Sequence, residues 1–235
     1  MTPSAVSQAI HEVADQFTVE LARTQARLDE CHRLRYEANH TDRRFLAGQN
    51  GLEYDAFDDH SEHVVLVSRH SGAVMGTARL VLPLLEAPDR SFPLQQVCTV
   101  KLPADMPIQT TADVSCFALR QDRSFNTSAL MRLGLVQGLI RASHDIGLTH
   151  WCAIMEPSLL RLLGMTGLHF IPIGPLVDYR GPGQPCYNSI ASILSGACRE
   201  RPPVGEYLTD TSDPWTSRRE PGDGSQATEL RSQAI

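Results

Sequence analysis

The 235-residue chain has one lysine, Lys101, among its 21 basic residues, few aromatics (6%) and no run of about 18 apolar residues. Without such a run nothing should span a membrane, so contact with a bilayer could only be peripheral. The six cysteines (31, 98, 116, 152, 186 and 198) form no C-x-x-C pair, and several sit in apolar surroundings such as "HWCAIM". That favours a reduced, cytoplasmic protein with core thiols over a disulfide framework. The N-terminal "MTPSAVSQAIHEVADQF" lacks the basic start and unbroken apolar run of a signal peptide. Basic excess is missing too: 27 acids against 21 bases leave a formal net charge of -6, which argues against a nucleic-acid partner. No Gly-rich turn follows the first strand pattern, and no Walker loop, G-x-S-x-G or H-E-x-x-H occurs. Nucleotide-binding doubly wound folds, serine hydrolases and helix-borne zinc sites therefore lack their signatures.

What is present is an ordinary globular composition, 42% hydrophobic and 20% charged, enough for one domain with some trimmings. Residues 5 to 30 carry Ile10, Val13, Phe17 and Leu21 at helical spacing, which predicts an amphipathic helix. A second helical piece, "CHRLRYEANH", precedes a polar loop. From His63 the pattern becomes "HVVLVSR", a turn at "HSGA" and "VMGTARLVLP", a hairpin. Residues 83 to 111 read as an irregular insertion with a short helix near Leu94 to Val97. Then come strand "DVSCFALR", the buried helix "ALMRLGLVQGLIRASHDIG" closed by Gly147, strand "THWCAIM", helix "PSLLRLLGM" and strand "HFIPIG". The tail from about Asp210 is poor in large apolar residues and should be disordered. This order fits a mixed, mostly antiparallel sheet with flanking helices.

Three stretches carry chemistry. Glu53, Asp55, Asp58, Asp59 and Glu62 crowd into ten positions before a buried strand, and like charges this close need cations, water or a ligand. Arg79 shares a strand face with Thr77 and Val81, where an arginine is costly unless a carboxylate meets it; Arg35 is another partner in reach. A structural ion-pair cluster and a polar substrate site are equally compatible with this pattern. The break after "FALR" places Arg120 and Arg123 beside the Ser124–Ser128 helix start, an arrangement suited to phosphate, although a capped helix with exposed arginines reads the same way. His60 and His63 in "HSEH" lack a third ligand at typical spacing and suit loop hydrogen bonds rather than a metal. Cys116 and Cys152, each in a strand among large apolar neighbours, should be inert core thiols.

Taken together, "RLRYEA", "GLEYDAFDDHSEHVVLV", "GAVMGTARLVLP", "FPLQQ", "DVSCFALR" and the block from Trp151 to Cys186 resemble the acyltransferases of PEP-CTERM/exosortase systems. These are related to N-acyl amino acid synthases and acyl-homoserine-lactone synthases of the GNAT fold. The resemblance runs from about residue 31 to 208 and implies a GNAT-like acyltransferase domain there; apolar spacing gives an N-terminal helix over 1–30 and composition a disordered tail over 209–235. It implies transfer of a fatty acyl chain from an acyl-carrier-protein or coenzyme A thioester to the amine of a small acceptor, with an amino acid as the leading expectation. A lactone synthase using S-adenosylmethionine and a non-catalytic acyl-carrier binding protein are the alternatives. No metal and no bound redox cofactor are implied. Glu53 would be the base and Ser115 would line the reaction centre; Arg35, Asp55, Asp58, Arg79 and Asp113 would bind the acceptor; Arg120, Arg123 and Ser124 would hold the donor's phosphate. The family commonly has arginine where this chain has Cys116. Leu133, Val136 and Trp151 are candidates for an acyl tunnel, with ordinary core as the leading alternative.

Overall fold

Two strands buried on both faces organise the molecule. The structure, a computed structural model, describes residues 3–40, 48–49, 51–98, 102–104, 106–120 and 125–211. Helix α1 (Pro3–Ala14) leads into strand β1 (Phe17–Leu21), followed by helix α2 (Gln25–His40). Short strands β2 (Gly48–Gln49) and β3 (Leu52–Glu53) pair with each other before the hairpin of β4 (Ser61–Ser68) and β5 (Val74–Val81). Helix α3 (Pro93–Val97) lies in the connection to β6 (Thr111–Leu119), and α4 (Phe125–Ile146), β7 (His150–Met155) and α5 (Pro157–Met165) follow. Short strands β8 (Ile171–Pro172) and β9 (Val177–Asp178) precede β10 (Pro182–Ser189), α6 (Ile190–Glu200) and α7 (Pro202–Thr209). The sheet runs β1-β4-β5-β6-β7-β10-β8, with β9 also on β10. Every pairing is antiparallel except β6 with β7.

Alternation along β4 explains its unbroken apolar run. Val64 and Leu66 join Leu135, Leu139 and the rest of the main core under α4, while Val65 and Val67 pack with Cys31 and Leu34 of α2 on the other face. A strand covered twice has no polar side to show. On α4, Gly138 lets the helix settle onto the sheet: a Cβ there would stand 2.3 Å from Val19 and 2.5 Å from Val64. The helix ends where the sequence predicts, with Gly147 at φ +82. Leu148 N–H donates to the Ser143 carbonyl and Gly147 N–H to that of His144, so two otherwise orphaned carbonyls are satisfied.

The feature that makes a site is a parting of strands. Parallel register between β6 and β7 holds only from Thr111 to Asp113, opposite His150 to Cys152. Beyond Asp113 the two strands diverge, and a cleft of about 620 Å³ opens between them. β6 also carries a bulge toward β5: the pairs Thr77 with Ala118 and Arg79 with Ser115 leave Ala78 facing both Cys116 and Phe117. Cys116 takes φ +54 to make that extra residue fit.

Some expectations need correcting. Residues 5 to 30 are not one helix, because Phe17–Leu21 is an edge strand on β4. A four-residue spacing of apolar positions fits a helix, and equally a five-residue strand buried at both ends; pairing with β4 decides it. Strand β10 and helices α6 and α7 were not legible as elements, since "GPGQPCYNS" carries two prolines and α7 begins Pro-Pro. The disorder expected of the tail concerns residues 212–235, which lie outside the described residues.

Gly138→Ala should destabilise the protein by about 1–3 kcal/mol, since two β-branched neighbours must move for a single methyl. Chemical denaturation measures this, and an unchanged midpoint would contradict the close approach.

Candidate active site

The acidic loop folds its carboxylates inward onto three arginines. Arg35 of α2 and Arg79 of β5 both donate to one oxygen, Asp58 Oδ1, at 2.7 and 2.9 Å. Arg79 also grips Asp55 at two points, Nη1 to Oδ1 at 2.7 Å and Nη2 to Oδ2 at 3.3 Å, and its Nε donates to Ser115 Oγ at 3.3 Å. Arg180, in the turn before β10, donates to Glu53 Oε1 at 2.6 Å and Asp55 Oδ2 at 3.2 Å. The loop is held in shape by its own backbone: Asp55 N–H donates to Asp58 Oδ2 and Phe57 N–H to Asp55 Oδ1. Asp59 and Glu62 stand outside the cluster, the first receiving Tyr54 and the second Arg23.

Burial makes this network consequential. Arg35 and Arg79 are each 1% exposed, and Glu53 is buried. Burial alone would raise the Asp58 carboxyl, but Arg35 and Arg79 outweigh it and hold it well below the usual carboxylate range. Burial pushes His63 down to about 3, so this histidine, 3.4 Å from Asp58 Oδ1, is neutral at physiological pH. His32, Asp58 and His63 offer ligand atoms within 4.8 Å of one another. A cation on Asp58 Oδ1 would face the two guanidiniums already there, which makes the trio a poor metal site.

The cleft sees one side of this cluster. Arg35, Arg79 and Arg180 line it; Glu53, Asp55 and Asp58 do not, being held behind the arginines. Arg35 Nε and Nη2 make no hydrogen bond; both are enclosed, and Nη2 pairs with Glu53 Oε1 at 3.6 Å. Ser115 and Cys116 line the same cleft. Asp113, 1% exposed at the point where β6 and β7 part, sits behind Ser115, from which it receives a hydrogen bond; its Oδ1 has no partner. Burial pushes the Asp113 carboxyl up to about 7, with Arg79 and Ser115 pulling the other way. Phe117, Ile154, Met155 and Leu159 form an apolar wall, and Arg132 and Arg161 add cations from α4 and α5. Among the described residues neither Arg132 nor Arg161 stands in an ion pair with a carboxylate.

Of the residues singled out from sequence, Arg35, Glu53, Asp55, Asp58, Arg79, Asp113 and Ser115 are brought together. Arg120 is exposed, does not line the cleft and donates to the Val74 carbonyl; Arg123 and Ser124 lie outside the described residues. Leu133, Val136 and Trp151 are core, and the gap lined by Val136 and Trp151 is about 10 Å³, room for no more than a water. Cys152 is buried as expected, but Cys116 is not a core thiol: the bulge turns it into the cleft. No local sequence pattern marks Arg180, Arg132 or Arg161. Arg180 lies 127 positions from Glu53, and no local pattern joins them.

Comparison with known proteins adds the context. Residues 30–187 match the model of a family described as N-acyl amino acid synthase FeeM. Among solved structures, FeeM, an N-acyl amino acid synthase from uncultured soil microbes, aligns at 12% identity and TM-score 0.58 over 79% of this chain and 97% of its own. A CoA-dependent acyl-homoserine lactone synthase, BjaI, with MTA bound, aligns at 19% identity and TM-score 0.64 over 87% of this chain and 95% of its own. TofI aligns at 20% identity and TM-score 0.57 over 80% and 99%. These likenesses establish the fold, the GNAT-like arrangement expected from sequence. No curated protein sequence matches the chain.

Two outcomes follow from the buried charges. Asp58→Asn should cost about 3–5 kcal/mol, because Arg35 and Arg79 lose a shared counter-ion in a buried place; denaturation at neutral pH measures it, and a loss under 1 kcal/mol would contradict the network. Asp113 has a folded pKa raised above its unfolded value of about 3.9, so the stability it contributes is complete below about pH 4 and lost as pH rises to about 7. The melting temperature of the wild type minus that of Asp113→Asn should therefore fall between pH 4 and 7. A difference independent of pH would refute the raised value.

Proposed function

The chain belongs to the N-acyl amino acid synthase family, and from that membership we propose that it joins a fatty acyl chain to the amine of an amino acid held by its carboxylate. It is an N-acyltransferase drawing on an acyl thioester. The observation that carries the choice of acceptor is the basic wall of the cleft, where the guanidinium forks of Arg35, Arg79 and Arg180 stand together. A planar carboxylate fits such a fork at two points, and a desolvated site makes each bond stronger than in water. Glu53, Asp55 and Asp58 neutralise the three arginines from behind, so the wall can be charged without being left uncompensated.

The donor enters where the strands part. The edge of β6 beyond Asp113 is not paired with β7 and offers backbone groups to the amides of a phosphopantetheine arm. Its acyl chain lies along Phe117, Ile154, Met155 and Leu159, and its phosphate meets Arg132 and Arg161, the cations without carboxylate partners. Both acyl-carrier protein and coenzyme A present this arm; we favour the carrier protein. We also assign the chain to the exosortase-associated branch and to the cytoplasm; the block from Trp151 to Cys186 and the core cysteines support this. No described helix is long and apolar enough to cross a membrane.

Chemistry then requires a neutral amine next to the acyl carbon and somewhere for the surplus proton. Asp113 suits that task, since a group titrating near 7 can both accept and release a proton at working pH. Ser115 connects it to the cleft, donating to Asp113 while Arg79 Nε donates to Ser115 Oγ. Glu53 would have to release Arg180 before taking a proton, so its part is to hold that arginine over the acceptor.

Incubating the purified protein with palmitoyl-coenzyme A or palmitoyl-carrier protein and the twenty amino acids should yield an N-acyl amino acid by mass spectrometry. A lactone formed from S-adenosylmethionine instead would replace the acceptor, and binding of carrier protein with no product from either would leave a non-catalytic binder. Asp113→Asn should lower kcat by about 100-fold or more with little change in KM. Glu53→Gln should act chiefly on the KM of the acceptor. The reverse pattern returns the role of base to Glu53.

A further inference from the structure

Strand β9 turns into β10 through Tyr179, Arg180 and Gly181, and the first two of these line the cleft. Tyr179 N–H donates to the Gly181 carbonyl at 2.9 Å, and Arg180 and Gly181 take φ +57 and +105. A positive φ is costly for an arginine, and here the bonds of Arg180 to Glu53 and Asp55 hold it in place. That latch fixes its neighbour too, since the Arg180 guanidinium carbon lies 5.6 Å from the centre of the Tyr179 ring. The phenol is thus set, half-buried, beside the basic wall. Among the described residues its hydroxyl has no hydrogen-bond partner. The other polar side chains there are engaged: Arg35, Arg79 and Arg180 meet the acids, and Ser115 donates to Asp113. Cys116 offers only a weak S–H donor. Burial raises the Tyr179 phenol, Arg180 opposes it, and Asp113 and Asp55 raise it further. Such a phenol keeps its proton at neutral pH, so it can donate a hydrogen bond without ionising.

We propose that Tyr179 is a catalytic residue whose hydroxyl donates to the thioester carbonyl oxygen as negative charge develops on it. This rests on the acyl-transfer reading above. The neutral amine attacks the carbonyl carbon directly, the C–N bond forms and the carbonyl π pair moves onto oxygen. There the Tyr179 O–H meets it and keeps its own proton. When the pair returns to carbon the C–S bond breaks, and the arm leaves as a thiol with the proton that the amine gave up. The arginines are shared between the acids and the acceptor's carboxylate, so a neutral donor beside them completes the wall without adding charge. A donor fixed before the reaction needs no reorganisation when the charge appears, which is what the latch on Arg180 provides.

The test compares the full wild-type chain with Tyr179→Phe, which removes the hydroxyl alone, in amide formation from palmitoyl-coenzyme A or palmitoyl-carrier protein and the preferred amino acid. The variant should lose about 100-fold or more in kcat, with KM for both substrates within about twofold of wild type. Its melting temperature should not change, because the hydroxyl bonds to nothing in the protein. A second variant keeps the ring, the hydroxyl and the packing: 3,5-difluorotyrosine at position 179, whose phenol ionises at lower pH. The donor is lost once the phenol ionises, so kcat should fall at high pH, and fluorination should move that fall to lower pH. Wild-type kcat in Tyr179→Phe overturns the proposal and leaves acyl transfer standing. A raised KM with unchanged kcat places the hydroxyl in acceptor or donor binding and overturns it as well, as does a pH profile that fluorination leaves unmoved. No amide from the wild type with either donor would remove both readings.

Discussion

The structure turns on one carboxylate oxygen shared by two guanidiniums. Asp58 Oδ1 receives Arg35 from a helix and Arg79 from a central strand, and that junction fixes the acidic loop against the sheet. Buried ion clusters of this kind are rarely more stabilising than well-packed apolar residues of similar volume. Stability is therefore a weak reason for having one here. The arrangement makes better sense as a way to hold three arginines charged and rigid in the wall of a cleft, which a hydrophobic core could not do.

That cleft exists because a parallel pair of strands stops pairing after three residues. Thr111 to Asp113 lie beside His150 to Cys152, and beyond them the backbone edge of β6 is free for a ligand instead of β7. Asp113 marks the point of parting, Ser115 and Cys116 follow within three residues, and Arg79 lies across on β5 opposite Ser115. A single strand thus delivers a buried acid, a hydroxyl and a thiol to one place. The bulge determines which way the thiol points, since without the extra residue alternation would put Cys116 on the opposite face from Ser115.

Much of this was legible in the sequence, for physical reasons that can be named. The hairpin, the long buried helix and its glycine stop are local patterns, and period and cap chemistry suffice for them. Arg79 was placed on the face of Thr77 by strand alternation, and the acids of the loop demanded cations, so the pairing of Arg79 and Arg35 with Asp55 and Asp58 could be anticipated. What could not be read is long-range or depends on register. Arg180 reaches Glu53 across 127 positions. Phe17 to Leu21 had a spacing that two structures share, and only β4 decides between them. Large apolar sequence neighbours make Cys116 read as core, but in the fold a bulge turns it into the cleft. Nor could the sequence say that the acids would lie behind the arginines: Asp55 and Asp58 were expected to bind the acceptor together with Arg35 and Arg79, and only the arginines line the cleft.

The central claim is that buried guanidiniums receive the carboxylate of an amino acid. It is tested most directly by comparing kcat/KM for the preferred amino acid with that for its carboxamide, which keeps the amine and the side chain and removes only the negative charge. Loss of a charge-assisted pair in a buried site predicts a fall on the order of 10- to 100-fold for the carboxamide. Equal turnover of the two would contradict the account.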